Sequence, residues 1–110
     1  MKIEILGTTH IIERQKREDN RLLNDRDGYY DKTTKKIVVE AFSPEDSELE
    51  DIRAYEKEVL RHEIIHAFFE ESGLSGNFEH QRFGIEETVV DWIAIQFPKM
   101  LKAFTEAECI

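Results

Sequence analysis

Polar and apolar residues alternate from Lys2 to Leu6, with Ile3 and Ile5 on one side, and Gly7 closes the run. That period of two predicts a short strand. No period dominates from Thr8 to Asn20. Ile11 and Ile12 are neighbours, and a charged run follows (Glu13, Arg14, Lys16, Arg17, Glu18, Asp19), which reads as an exposed helix or a loop. Leu22 and Leu23 precede the turn-rich Asn24-Asp25-Arg26-Asp27-Gly28. After the polar Asp31–Lys35, the segment Lys36-Ile37-Val38-Val39-Glu40-Ala41-Phe42 is rich in β-branched residues and bounded by turns. It predicts a strand, and with Tyr29-Tyr30 a β-hairpin.

The pattern then changes to a helical period. Ile52, Tyr55, Val59 and Leu60 lead into Arg61-His62-Glu63-Ile64-Ile65-His66-Ala67-Phe68-Phe69, and Gly73 after Glu71-Ser72 is a natural C-terminal cap. Two starts fit. Ser43-Pro44-Glu45-Asp46 offers an N-cap, a first-position proline and acids in the first turn, and Ser47-Glu48-Leu49-Glu50 has the shape of a capping box. Leu74 to Gly84 reads as a loop. Val89, Trp92, Ile93 and Phe97 mark a second helix over Ile85–Phe97, broken or kinked at Pro98, with a short helix after it. At 110 residues, with no internal repeat and no interdomain linker, residues 1–110 form one domain with one modest core.

Composition narrows the partners. The chain holds 24 acidic and 15 basic residues, a formal net charge of −9. An acidic surface is repelled by nucleic-acid backbones and anionic membranes, so neither is expected as a partner. Solubility alone also accounts for the charge. The single cysteine, Cys109, cannot form an internal disulfide, which suits a reducing compartment. The first residues lack the apolar run of a signal peptide, and no stretch has the length of a membrane span. A cytoplasmic protein is the expectation.

The chemistry sits in His62-Glu63-Ile64-Ile65-His66. Four-residue spacing stacks both imidazoles on one helical face, within reach of one metal ion, and Glu63 flanks that face. Zinc takes neutral imidazole nitrogens and carboxylate oxygens, and a catalytic site leaves a position for water. The ion lowers that water's pKa, so Glu63 is the candidate general base. A surface helix with two solvated histidines is the plainer alternative. A zinc site needs a third protein ligand, and Glu86, Glu87, His80 and Asp91 are the candidates. Glu87 and Asp91 share a helical face at i, i+4, so Glu87 is assigned to the metal and Asp91 to bracing a ligating imidazole, with Glu86 as the rival of Glu87. His10, alone in a charged segment, reads as a surface residue.

His62-Glu63-x-x-His66 with Glu87-x-x-x-Asp91 some twenty residues on resembles the gluzincin arrangement of zinc metallopeptidases. The layout from Gly28-Tyr29-Tyr30 through Lys36–Val39 and an acidic helix is similar to the compact ImmA/IrrE-like metallopeptidase domain. In that family small residues follow the acid, where this chain carries Trp92 and Ile93. The resemblance implies an α+β, zincin-like domain: a short antiparallel sheet packed on the motif helix, and a second ligand-bearing helix. It implies Zn2+ held by His62, His66 and Glu87, and peptide-bond hydrolysis with Glu63 as base. It also implies that the strand Ile37–Phe42 lies along the cleft as an edge that pairs with an extended peptide. An oxyanion donor is expected among His80, Tyr29, Tyr30 and Arg82. Two other functions remain open on the sequence: a non-catalytic zinc-containing binding protein on the same scaffold, and an acidic module that binds a basic partner.

Overall fold

The structure, a computed structural model, describes residues 1–76 and 87–110; within these, the side chains of residues 46, 87, 88, 90, 91 and 94 are not described. Four strands, β1 (Lys2–Ile5), β2 (Thr8–Gln15), β3 (Gly28–Asp31) and β4 (Lys36–Glu40), form one sheet in the order β1-β2-β4-β3. Two long helices complete the α+β fold, α1 (Ile52–Glu71) and α2 (Glu87–Glu106). Among the described residues no helix is long and apolar enough to cross a membrane.

The sheet is mixed, which corrects the antiparallel expectation. β1 pairs with β2 and β3 with β4 antiparallel, but β2 and β4 run parallel. The first hairpin turns on Leu6 and Gly7, both at positive φ (51° and 86°), which matches the twist of the strands they join. The second is the hairpin expected from Tyr29-Tyr30 and Ile37–Phe42. In its connection the Asp31 carboxylate accepts from the Thr33 backbone N–H at 2.8 Å and its hydroxyl at 2.6 Å, and these bonds hold the Asp31 pKa below the ordinary value.

Thr8–Gln15 is the longest strand, where helix or loop was expected. The adjacent Ile11 and Ile12 hide its period: His10 and Ile12 point into the core, while Thr9 and Ile11 face out. His10 is 0% exposed, which overturns its reading as a surface residue. The charged run beyond it is held by tertiary contacts: the Arg17 guanidinium donates to Glu40 at 2.6 and 2.9 Å and to Asp27 at 3.1 Å.

α1 begins at Ile52, later than either expected start. Asp51 is the N-cap, its side chain accepting from the Ala54 N–H at 3.0 Å, and Pro44–Asp46 forms only a 3-10 turn. The helix starts where Ile52 first reaches the core, and its buried positions (Ile52, Glu56, Val59, Leu60, Glu63, Ile64, Ala67, Phe68) recur at helical spacing. It ends as expected at Gly73, φ 78°, whose N–H bonds the Glu70 carbonyl. α2 runs through Pro98 instead of breaking there. Proline removes one helix hydrogen bond, but Met100, Ala103 and Phe104, buried in the same core as Leu60, Ile64 and Phe68, keep the later turns in place. Cys109 is buried there too; its carbonyl accepts from Arg61 at 2.6 Å, and burial pushes its thiol pKa up.

Candidate metal centre

From Glu58 to Glu70, each i, i+4 step along one face of α1 carries a group able to bind or repel an ion. Glu58, His62, His66 and Glu70 form that stripe, and all four line a cleft of about 670 Å³. At its centre the Nε2 atoms of His62 and His66 are 3.1 Å apart. Their ring planes are inclined at 63°, with centroids 4.8 Å apart. Both histidines are exposed on the helix surface.

Glu63 sits one residue along, where α1 turns toward the sheet. It is 8% exposed, and burial pushes its pKa up against the pull of His62 and Arg26. Its neighbour across the cleft is Gly28, the first residue of β3. A β-carbon there would stand 2.9 Å from the Val38 carbonyl oxygen, 3.1 Å from Val59 Cγ1 and 3.3 Å from Glu63 Cγ. Glycine thus lets strand and helix approach at the motif itself. Desolvation, and after it the adjacent His62, lower the His66 pKa against the effect of Glu70. A lowered pKa favours the neutral imidazole, the form a metal binds.

The opposite wall is Asp25 to Tyr30. Among the described residues β3 is an edge strand, and β4 lies inside the sheet between β2 and β3, so β4 is not the strand along the cleft. The expectation that Ile37–Phe42 borders the site as an edge fails for this reason. Asp27 is already engaged, by Arg17 and by the Tyr55 hydroxyl, and that hydrogen bond first, then burial, pushes Tyr55 up to about 12.

Of the candidate third ligands, Glu87 opens α2 and Asp91 follows one turn later, but their side chains are outside the described set; Glu86, His80 and Arg82 lie outside the described residues altogether. The near end of α2 is brought to the histidine helix by Trp92. Its indole N–H donates to Ser72 Oγ at 3.2 Å, and its ring meets Phe69 edge-on at 4.9 Å. Phe69 in turn lies edge-on to His66, with centroids 6.4 Å apart. Among the described residues no group of three His, Cys, Asp or Glu side chains is arranged to hold a metal ion. Of the possible oxyanion donors, Tyr29 and Tyr30 both border the cleft. The Tyr29 hydroxyl accepts from Asn20 at 2.9 Å, and that of Tyr30 meets the buried His10 at 3.1 Å.

Glu58 and Glu70 were missed on the sequence, although each is four residues from a motif histidine. The β3 wall had no local signal, because it arises from strand order. No protein-family model, curated protein or solved structure matches the chain.

Proposed function

We propose that the cleft is the active site of a small zinc-dependent metallopeptidase. The observation that carries this reading is the approach of the His62 and His66 Nε2 atoms to 3.1 Å beside a buried carboxylate. Two nitrogens about 2.0–2.1 Å from a tetrahedral ion lie roughly 3.3 Å apart, so the pair fits the group with little adjustment. His62 and His66 would hold the ion, with Glu87 as third ligand and Asp91 bracing a ligating imidazole. Zinc in this position supplies Lewis acidity toward a carbonyl and toward water.

The chain's own groups do the rest. Glu63, buried and with a raised pKa, is suited to take a proton from the attacking water and return it to the departing amine. The outer edge of β3, which pairs with no strand among the described residues, is suited to an extended peptide backbone. The zincin-like description of the fold and a cytoplasmic setting belong to this same reading. Nucleic acid and membrane are not its partners.

Metal analysis tests the proposal. The protein purified without chelator should carry one zinc per chain, and His66→Ala and Glu87→Ala should each lose it. A parent protein that takes up no zinc from a zinc buffer ends the metallopeptidase reading. A Glu87→Ala variant that keeps full zinc occupancy removes Glu87 from the ligand set.

A further inference from the structure

Behind the β3 wall lies a polar cluster that joins Tyr30 to two groups the hydrolytic reading does not use, His10 and Glu71. His10 on β2 is fully buried. Its Nδ1 is 3.0 Å from the Thr8 carbonyl oxygen, and its Nε2 is 3.1 Å from the Tyr30 hydroxyl and 3.4 Å from Glu71 Oε1. Glu71, at the end of α1, also takes the Lys35 ammonium at 2.6 Å and the Thr8 hydroxyl at 3.2 Å. Tyr30 spans the two environments: it reaches His10 on one side and borders the cleft with His62, Glu63 and His66 on the other.

The tautomer follows from the partners. A carbonyl oxygen only accepts, so Nδ1 carries a hydrogen and donates to Thr8. In the neutral ring Nε2 is then a bare acceptor, and the Tyr30 hydroxyl donates its proton inward. The phenol oxygen is left to accept from whatever occupies the cleft. When His10 gains a second proton, Nε2–H becomes a donor to Tyr30 or Glu71, and the phenol proton is free to turn toward the cleft. Among the described residues the charged groups of this cluster are Glu71 from α1, beside the ring, and Lys35 from the β3–β4 turn, paired with Glu71. Tyr30 and the Thr8 carbonyl complete the set. Burial, followed by the carboxylates of Glu71, Glu70 and Asp31, pushes Tyr30 up to about 12, so the phenol keeps its proton and acts only by hydrogen bonding.

We propose that Tyr30 hydrogen-bonds the peptide in the cleft, and that His10 is the positioning residue whose proton decides whether the Tyr30 hydroxyl accepts or donates. The inference rests on the reading of the cleft as a peptide site. A neutral His10 turns Tyr30 into an acceptor for a peptide N–H. A charged His10 turns it into a donor for an oxygen bearing negative charge.

The experiment has two arms. The first uses the metal-free protein and 15N NMR of the His10 ring. It should show Nδ1–H as the neutral tautomer, and a neutral ring protonated at Nε2 instead overturns the mechanism. The second uses zinc-loaded protein and a phosphinic pseudotripeptide, whose tetrahedral anion needs a donor, with affinity measured by calorimetry from pH 5 to 8. Tyr30→Phe should weaken binding about tenfold at the acid end and much less at the alkaline end. In a His10→Gln background, where nothing at that position titrates, the Tyr30→Phe effect should be the same at every pH. Equal affinity of Tyr30→Phe and the parent throughout, or an unchanged pH dependence in His10→Gln, overturns the proposal. If His10→Gln does not fold, Tyr30→Phe and the NMR arm decide. Zinc content is measured on the same samples: a parent without zinc sinks the metallopeptidase reading, while the tautomer still decides the His10–Tyr30 pairing.

Discussion

Glu56 and Glu63 lie two turns apart on one face of α1 and are buried alike, 6% and 8% exposed. Their surroundings differ. The Glu56 carboxylate accepts from the Phe42 backbone N–H at 3.1 Å and from the Arg53 guanidinium at 2.6 Å, so it ties the chain beyond β4 to the helix. Glu63 has no hydrogen-bond partner among the described residues and faces the cleft beside two imidazoles. A buried carboxylate held through one oxygen by two donors is a brace; one with no such donors among the described residues is the better candidate for chemistry. Residue type, helix and burial do not separate the two roles, and the partners do.

The largest effect expected is on catalysis. Glu63→Gln should cut peptide hydrolysis by about 10²–10⁴-fold with zinc content unchanged. Glu56→Gln should leave turnover per folded molecule as in the parent. Equal turnover in Glu63→Gln and the parent, measured on a quenched peptide library, would remove the distinction. Next is Gly28→Ala. Its β-carbon meets a backbone carbonyl that cannot swing aside, so a loss of about 1–3 kcal/mol is expected in urea unfolding. Unchanged stability would show that the close approach at Glu63 is not tight.

A smaller effect tests the other side of the comparison. Glu56→Ala leaves the half-buried Phe42 N–H without its acceptor and should cost about 1 kcal/mol, measured the same way. Smaller again is a pH effect at Glu71. Burial raises its pKa, but the Lys35 and Thr8 hydrogen bonds outweigh this and hold it below the ordinary carboxylate value. The folded state therefore binds that proton less readily than the unfolded chain. The resulting stability is present above the unfolded carboxylate pKa and is lost as pH falls through the folded one. Glu71→Gln should be less stable than the parent at pH 7, and the gap should close on acidification below pH 4. A gap of constant size would rule out that ion pair as its source.

What the sequence makes legible is what local chemistry decides. The β3–β4 hairpin follows from a β-branched run beside a turn that Asp31 can close. The end of α1 follows from Gly73, and the His62–His66 pairing from helical spacing alone. What it hides depends on distant partners. Two plausible caps stand before α1, and Asp51 serves because Ile52 is the residue that meets the core. The strand β2 is masked by two adjacent isoleucines and by a histidine that becomes a core residue only when Tyr30 and Glu71 come to it. The order of the sheet, and with it the strand that borders the cleft, is not a property of any single segment.

The bond from Arg61 to the Cys109 carbonyl makes residues 107–110 a peg driven into the base of the motif helix. Arg61 directly precedes His62, and Ala107 and Cys109 fill the space beneath it. A cut after Glu106 would strip the guanidinium of its carbonyl and leave a void in the core beside α1, so residues 107–110 help to hold the turn that carries His62.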